Sequence, residues 1–206
     1  MELYFSPLAC SLASRIAIDE AGLAVTCQEV GADKTLPDGS SYRDLYSLAL
    51  VPALKLDDGT LLTENIAVLC AIAEMAPPEK RLLPDRQEGL RWLAFINSEL
   101  HKGIFGTLFD RDAPDEAKRF ALEKGKARLR HIDEHMRGRE TVLDSFSVVD
   151  AYLYTVLNWT QVVDIDLRRD YPALEAFFVA VRKRPSVARA FEAELPLYQA
   201  RRAQRA

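Results

Sequence analysis

The sequence predicts an α/β domain followed by an all-helical domain. Over the first 75 residues, short apolar runs alternate with segments of helical periodicity, whereas beyond residue 84 the strand patterns nearly vanish. A short proline-containing linker, residues 76–81, separates the two halves. The charge also changes there, because residues 1–80 carry 5 Lys/Arg against 12 Asp/Glu, a net charge of −7, while the rest carries +3. We therefore expect two domains, residues 1–76 and residues 84–206.

The N-terminal elements follow one another as strand, helix and strand. Residues 3–5 form an apolar run that stops at Ser6-Pro7, and residues 25–30 alternate weakly between apolar and polar. Between them, the apolar positions of residues 10–21 follow a helical period, and Gly22 is typical of the position just past a helix end. A strand–helix–strand unit of this kind favours a right-handed crossover and a parallel strand pair.

A hairpin and a third helix complete the first domain. Residues 53–56 and 60–63 are apolar runs on either side of Asp57-Asp58-Gly59, and Asp-Gly between two such runs is typical of a tight hairpin. A brief helix over 42–48 precedes the hairpin, and a helix over 66–75 follows it. The order β-α-β-(α)-β-β-α, with the last two strands antiparallel, is that of a thioredoxin-like domain.

Helices make up the second domain. The predicted segments share apolar residues at helical spacing and lie at 86–108, 114–137, 148–163, 173–183 and 186–194. Ser147 and Asp150 form a capping box, in which the Ser147 hydroxyl caps the Asp150 N–H and the Asp150 carboxylate reaches back to the Ser147 N–H. The basic stretch 201–205 is interpreted as a frayed, solvated terminus.

Composition argues against several classes of protein. Of 206 residues, 49% are hydrophobic and 28% are charged, an ordinary globular mixture. The net charge of −4 argues against a nucleic-acid partner, and no apolar run reaches the roughly 18 residues that a membrane span needs. No signal peptide is visible, and three cysteines do not suggest a secreted disulfide framework. We therefore expect a cytoplasmic protein with no membrane or nucleic-acid partner and no bound metal.

Cys10 is the strongest candidate for chemistry. It directly follows the first strand and opens the first predicted helix, beside Ser11. The unpaired N–H groups and the dipole at a helix N-terminus favour a thiolate, which is the nucleophilic form. A buried structural cysteine is the alternative, and it is our interpretation of Cys27 and Cys70, which lie in an apolar strand and an apolar helix. Because no second cysteine stands at dithiol spacing from Cys10, redox chemistry there requires a thiol supplied from outside.

Two further segments can hold a ligand. Val51-Pro52 directly precedes a strand, and a cis bond there turns the Val51 backbone outward, where it can pair with an extended peptide-like ligand. Glu64-Asn65 opens a helix whose N–H groups can hold a carboxylate while Glu64 accepts from an ammonium group. Plain N-capping of the helix is the alternative for this second segment.

The three histidines differ in their setting. His101 lies one position off the main apolar stripe of the first long helix, where it either faces a cleft or is a structural histidine. His131 and His135 are spaced i, i+4 on a charged helix without cysteine partners, so we interpret them as exposed residues and not as metal ligands. Of the three histidines, only His101 is therefore a candidate for catalysis.

These residues, in this order, resemble the cytosolic glutathione transferases, and most closely the bacterial beta class. The resemblance runs nearly end to end, and its pieces are moderately specific singly and strong together. They are residues 6–12 (SPLACSL), 51–54 (VPAL), 56–64 (LDDGTLLTE), 99–103 (ELHKG) and 146–153 (FSVVDAYL). The Cys10-Ser11 pair is similar to that of the beta class and differs from classes with a catalytic tyrosine or serine.

The resemblance implies the partners and the site residues. It implies an N-terminal thioredoxin-like domain that binds glutathione as co-substrate, a helical domain that binds a small hydrophobic electrophile, and a homodimer. Carried over by position, Cys10 is catalytic and can form a mixed disulfide with glutathione, and His101 lies near the thiol. The positions implied to bind substrate are Ser11, Lys34, Val51, Pro52, Glu64, Asn65, Ser98 and Lys102.

Several positions depart from the pattern of the class. Phe5 stands where tyrosine is common, Leu8 where glycine is usual, and Ala94 where a polar residue is expected. Asn65 also replaces a usually small residue. Residues 46–50 (YSLAL) replace a polar and basic run similar to Asn-Pro-Lys-Gly-Gln, so we expect weaker glutathione affinity than is normal for the class.

The implied activity is conjugation, in which glutathione thiolate, held by donors at the helix start around Cys10 and Ser11, attacks an electrophile. His101 would orient or stabilise the thiol and would not be the sole base. A glutathione-dependent thiol–disulfide reductase, or a dehalogenase using the same cysteine, is the alternative enzyme. A non-catalytic ligand-binding protein with this fold is the alternative outside enzymes, and residues 46–50 are its best support.

Overall fold

The packing of the chain divides it into two units in the computed structural model, which describes residues 1–204. Unit 1 comprises Met1–Leu82 together with the chain from Arg184 onward, and unit 2 comprises Leu83–Lys183. The domain boundaries 1–76 and 84–206 remain predictions of the sequence. By packing, however, the last helix groups with the N-terminal residues.

The strands lie in unit 1 and form one four-stranded sheet. They are β1 (Glu2–Phe5), β2 (Thr26–Glu29), β3 (Ala53–Lys55) and β4 (Leu61–Thr63), in the order β2-β1-β3-β4. β1 pairs parallel with β2 and antiparallel with β3, and β3 pairs antiparallel with β4. This topology confirms the predicted parallel pairing of the first two strands and the predicted antiparallel hairpin.

Helices account for most of the remaining chain. In order they are α1 (Ser11–Ala21), α2 (Tyr42–Leu45), α3 (Asn65–Met75), α4 (Arg86–Phe95), α5 (Thr107–Phe109), α6 (Asp115–Met136), α7 (Val148–Asn158), α8 (Leu167–Asp170), α9 (Pro172–Arg182) and α10 (Pro185–Ala203). Short 3₁₀ helices span Pro78–Lys80 and Trp159–Val162. Within residues 1–204, no helix has both the length and the apolar character needed to cross a membrane.

The core of unit 1 is built on the pairing of α1 with α3. Leu12 and Ile16 of α1 and Leu69 and Ile72 of α3 are fully buried, and burial of each such side chain contributes about 2 kcal/mol. Gly22 ends α1 at a φ of 70°, as predicted, and its N–H donates to the carbonyl oxygens of the last turn.

The last helix, α10, is longer than predicted. The predicted helix spans residues 186–194, whereas the observed helix continues through Pro196 to Ala203. The expectation of a frayed basic tail is also wrong at Arg201, whose side chain is mostly buried and pairs with Glu29 of β2 at 2.7 Å. Arg205 lies outside the described residues. Tertiary ion pairs thus stabilise a terminus that looks solvated in sequence.

The first long helix of unit 2 changes its winding partway. The predicted helix over 86–108 is a continuous run from α4 to α5, but its centre, Ile96–Gly106, is π-helical. Gly103 suits this winding because a Cβ there would stand 2.8 Å from the Ser98 carbonyl oxygen. π-Helical turns are rare and often occur at functional sites, and this one carries His101.

The capping box predicted at the start of α7 is confirmed. The Ser147 hydroxyl accepts from the N–H groups of the first turn, and Asp150 Oδ2 accepts from the Ser147 N–H at 2.8 Å. Asp150 Oδ1 also accepts from the Val142 N–H at 2.7 Å. Every residue of α7 is buried, so this cap lies inside the core of unit 2.

Candidate active site

Cys10 ends the loop that joins β1 to α1, which we call the β1–α1 loop (residues 6–10). It occupies the N-cap position in a helical backbone conformation, and among the described residues its side chain makes no capping bond to α1. The Cys10 thiol instead donates to the Val51 carbonyl oxygen, 3.1 Å away. The structure therefore brings together two predicted site residues that are 41 positions apart in the chain.

The Val51–Pro52 peptide bond is cis, as expected. Val51 is half-buried and packs against a cluster that includes Tyr4 and Tyr42. The Tyr42 hydroxyl donates to the Leu50 carbonyl oxygen at 2.9 Å. The backbone that precedes Pro52 is therefore anchored to the core of unit 1 by an aromatic side chain.

Residues 46–50 form an apolar surface beside this backbone. Leu48 and Leu50 are 62% and 52% exposed, whereas Ala49 between them is fully buried at a φ of 49°. No residue of this run brings a charged side chain. The surface next to Val51 is thus apolar and uncharged.

Glu64 and Asn65 begin α3 in an unusual way. Glu64 has a φ of 67°, which is strained for a residue other than glycine, and its exposed side chain makes no capping bond within residues 1–204. Asn65 is buried, and its Oδ1 accepts from the Ser14 hydroxyl at 3.3 Å. Its Nδ2 has no hydrogen-bond partner among the described residues. Glu64 therefore does not cap α3 with its side chain, and the buried Asn65 Nδ2 remains available as a donor to a ligand.

Ser11 and Lys34 have different settings in unit 1. Ser11 is buried, and its hydroxyl accepts from the Ser6 N–H and donates to the Ser6 carbonyl oxygen, both at 3.2 Å. Ser11 therefore closes the β1–α1 loop. Lys34 is half-buried at a φ of 70°, and burial lowers the pKa of its ammonium group, with smaller contributions from Arg43 and Arg201. A basic cluster thus forms within the most acidic part of the chain.

His101 is held in one tautomer in unit 2. The Tyr152 hydroxyl donates to Asn97 Oδ1 at 2.9 Å and lies 2.7 Å from His101 Nδ1. Because its proton goes to Asn97, the hydroxyl accepts from the Nδ1–H, which leaves Nε2 as the acceptor nitrogen. Burial lowers the pKa of His101 to about 4, and Lys102 adds to the effect. At neutral pH His101 is therefore an uncharged hydrogen-bond acceptor.

Ser98 and Lys102 share the π-helical segment with His101, and both are exposed. The Ser98 hydroxyl lies 3.4 Å from Glu99 Oε1, and Arg128 donates to Glu99 Oε2 at 2.5 Å. The structure thus places these three predicted residues on one segment of unit 2. The other predicted site residues belong to unit 1.

Two residues that the sequence did not reveal bind the β1–α1 loop from α10. Glu194 accepts from the Leu8 N–H at 2.7 Å, and Arg201 donates to the Ser6 hydroxyl at 2.7 Å. Both are more than 180 positions from the loop, so no local pattern predicts them. One signal was present in the sequence, namely leucine at position 8 where the class usually has glycine.

Comparisons with known proteins agree with this architecture. The family model described as "Glutathione S-transferase, C-terminal domain" matches residues 91–185. The chain is 36% identical over 200 residues to glutathione S-transferase GstA of Escherichia coli O157:H7, a match that covers 94% of this chain and 98% of the relative.

Solved structures extend the likeness to three dimensions. A sphingomonad glutathione S-transferase complexed with glutathione has a TM-score of 0.89 and 39% identity, with 94% of this chain and 98% of that one covered. A bacterial beta class glutathione S-transferase from Sphingomonas chungbukensis has a TM-score of 0.88 and 38% identity over the same shares. The chain therefore belongs to the glutathione S-transferase family, in its bacterial beta class.

Proposed function

We propose that this protein is a glutathione transferase that conjugates glutathione thiolate to small hydrophobic electrophiles. The observation that carries the proposal is the Cys10 thiol bonded to the Val51 carbonyl oxygen, at a backbone that can pair with a peptide-like ligand. A sphingomonad relative of 39% identity is described as complexed with glutathione. Glutathione, a tripeptide thiol, suits both features of this site.

The unit 1 residues fit the charged ends of glutathione. The Glu64 carboxylate has no capping role among the described residues and can accept from an α-ammonium group. The N–H groups at the start of α3 can donate to the adjoining carboxylate, and so can Asn65 Nδ2, which has no hydrogen-bond partner within residues 1–204. Lys34 supplies a cation for a second carboxylate. In the proposed complex the Val51 backbone pairs with the cysteinyl unit, and Pro52 fixes its orientation.

The chemistry is a substitution or addition at an electrophilic carbon. The glutathione sulfur forms a bond to carbon, and the thiol proton passes to a base or to water. In a substitution a leaving group departs with its electron pair, whereas in an addition a π electron pair moves onto the neighbouring atom, which then takes up a proton. At neutral pH His101 is uncharged and has Nε2 as its acceptor nitrogen, and the resemblance to the class implies that it orients the glutathione thiol. Ser98 and Lys102 bind substrate from the same segment of the chain.

Thiol–disulfide exchange at Cys10 is the second candidate activity, and the Cys10–Val51 contact favours it equally. Cys10 thiolate attacks glutathione disulfide, one S–S bond forms as the other breaks, and glutathione thiolate leaves. The product is a mixed disulfide between Cys10 and glutathione. We also propose that the protein is a cytoplasmic homodimer, as in the cytosolic enzymes that the sequence resembles.

The variant Cys10→Ala tests the role of the thiol. We expect it to abolish the mixed disulfide, which mass spectrometry detects in the wild type after incubation with glutathione disulfide. Conjugation of glutathione to an aryl halide is measured in parallel, with Cys27→Ala as the matched control. If conjugation survives Cys10→Ala intact, Cys10 is not the conjugating group. If the wild type fails in both assays yet binds a hydrophobic dye, the protein is a ligand-binding member of the family.

The apolar run 46–50 predicts weak glutathione binding. Replacing it with Asn-Pro-Lys-Gly-Gln adds two side-chain amides and a cation near Val51, and we expect the Kd for glutathione to fall by about tenfold. Isothermal titration calorimetry measures the Kd, and Leu48→Ser, which removes apolar surface without adding charge, is the control. Equal Kd values for the wild type and the replaced protein would refute the expectation.

A further inference from the structure

The β1–α1 loop is fixed at its centre by a residue from the far end of the chain. Leu8, two positions before Cys10, has a φ of 55°, a left-handed conformation that costs a non-glycine residue about 1 kcal/mol. Its N–H donates to Glu194 Oε2 at 2.7 Å. The strained position of the loop and its bond to α10 therefore coincide at one residue.

Glu194 is fully buried, with an exposed fraction of 0%. Its Oε1 lies 3.5 Å from Arg15 Nη1 of α1 and has no hydrogen-bond partner among the described residues. Two residues of β2 also interact with Glu194 electrostatically: the Glu29 carboxylate repels the Glu194 carboxylate, and the Glu194 charge acts on the Cys27 thiol. A buried carboxylate that is only partly compensated is costly to the fold, so its contact with the loop calls for a functional explanation.

We propose that Glu194 is a positioning residue, which holds the β1–α1 loop through the Leu8 amide and thereby sets the place of the Cys10 thiol. The proposal rests on the role of Cys10 proposed above. A charged carboxylate is a stronger acceptor than a neutral one, so the loop is held most firmly when Glu194 is ionised.

The ionisation of Glu194 falls in the physiological range. Burial raises the pKa of its carboxyl to about 7, while the Leu8 N–H and Arg15 act in the opposite direction. The other groups that face it are Glu29, which pairs with Arg201, and Cys27. The hold on the loop therefore weakens as the pH falls through neutrality.

The reactivity of the Cys10 thiol tests this without glutathione. In a parent protein carrying Cys27→Ala and Cys70→Ala, Cys10 is the sole cysteine, and its alkylation by iodoacetamide is followed from about pH 5.5 to 8.5. We expect Glu194→Gln to slow alkylation about fivefold at the upper end, where the parent is ionised, and to match the parent at the lower end. Glu192→Gln, an exposed change on the same helix, is expected to follow the parent throughout.

Leu8→Gly tests the same bond from the other side. Glycine adopts a positive φ without strain, so we expect Leu8→Gly combined with Glu194→Gln to recover most of the lost rate. A loss that is equal at every pH, an unchanged rate, or no recovery with Leu8→Gly would overturn the proposal. Absence of the glutathione mixed disulfide in the parent would defeat thiol–disulfide exchange at Cys10, and intact conjugation in Cys10→Ala would defeat its role in conjugation. Either result leaves this alkylation measurement intact.

Discussion

Buried carboxylates fix both the start of α7 and the loop that precedes α1, but the two carboxylates come from different distances along the chain. Asp150 is three positions from the Ser147 N–H that it accepts from, whereas Glu194 is 186 positions from the Leu8 N–H. Burial raises the pKa of both, to about 6 for Asp150 and about 7 for Glu194. The carboxylate that is near in sequence caps a helix, whereas the distant one holds the loop that carries Cys10 against a different helix.

Removing the Asp150 cap of α7 is expected to lower the free energy of unfolding more than any other change considered. Asp150→Ala removes the acceptor for the Val142 and Ser147 N–H groups, both inside the core, so we expect the free energy of unfolding to fall by about 4 kcal/mol. Urea unfolding measures it. Asp85→Ala, at the exposed N-cap of α4, is the matched control and is expected to cost about 1 kcal/mol. Equal losses at the two caps would contradict the buried role of Asp150.

The distant carboxylate is expected to make stability depend on pH. Because the pKa of Glu194 rises from 4.5 to about 7 on folding, the stability gained from its protonation is fully present below pH 4.5 and is lost by the time the pH has risen through about 7. Relative to Glu194→Gln, the wild type should therefore lose about 3 kcal/mol of unfolding free energy between the unfolded pKa of 4.5 and the folded pKa of about 7. Urea titrations at several pH values measure the difference. A constant difference across this range would show that Glu194 does not titrate there.

The second contact of α10 with the loop is expected to have the smallest effect. Arg201 bonds Glu29, the Ser6 hydroxyl and the Val30 carbonyl oxygen, and as a partly exposed ion pair it should contribute about 1 kcal/mol. Arg201→Ala should lower the melting temperature, whereas exposed Arg202→Ala should leave it nearly unchanged. Identical melting temperatures for the two variants would show that Arg201 does not stabilise the fold, as the prediction of a solvated tail requires.

Much of the fold could be predicted because its signals are local. Asp57-Asp58-Gly59 marked the hairpin, Gly22 marked the end of α1, and the capping box marked the start of α7. The end of α10 was missed because a proline ordinarily breaks a helical pattern. The π-helical winding around His101 was missed because apolar spacing does not distinguish one extra residue in a turn.

The candidate site was predicted only in part. Cys10 and Val51 were singled out by their places beside strands, and the structure adds the bond between them. The tautomer of His101 depends on Tyr152, 51 positions further along the chain. The unrealised cap at Glu64 depends on a backbone conformation that its residue type does not favour.

The sequence by itself determined the succession of strands and helices along the first half and the helical character of the second half, and it named candidate residues for chemistry. These follow from periodicity, turn residues and side-chain type, which act over a few positions. The tertiary structure alone decided the partner of the Cys10 thiol, the protonation of His101, and the attachment of the Cys10 loop to α10. Those properties depend on burial and on contacts between distant segments, and the free energy of a buried charge is set by every group that packs around it.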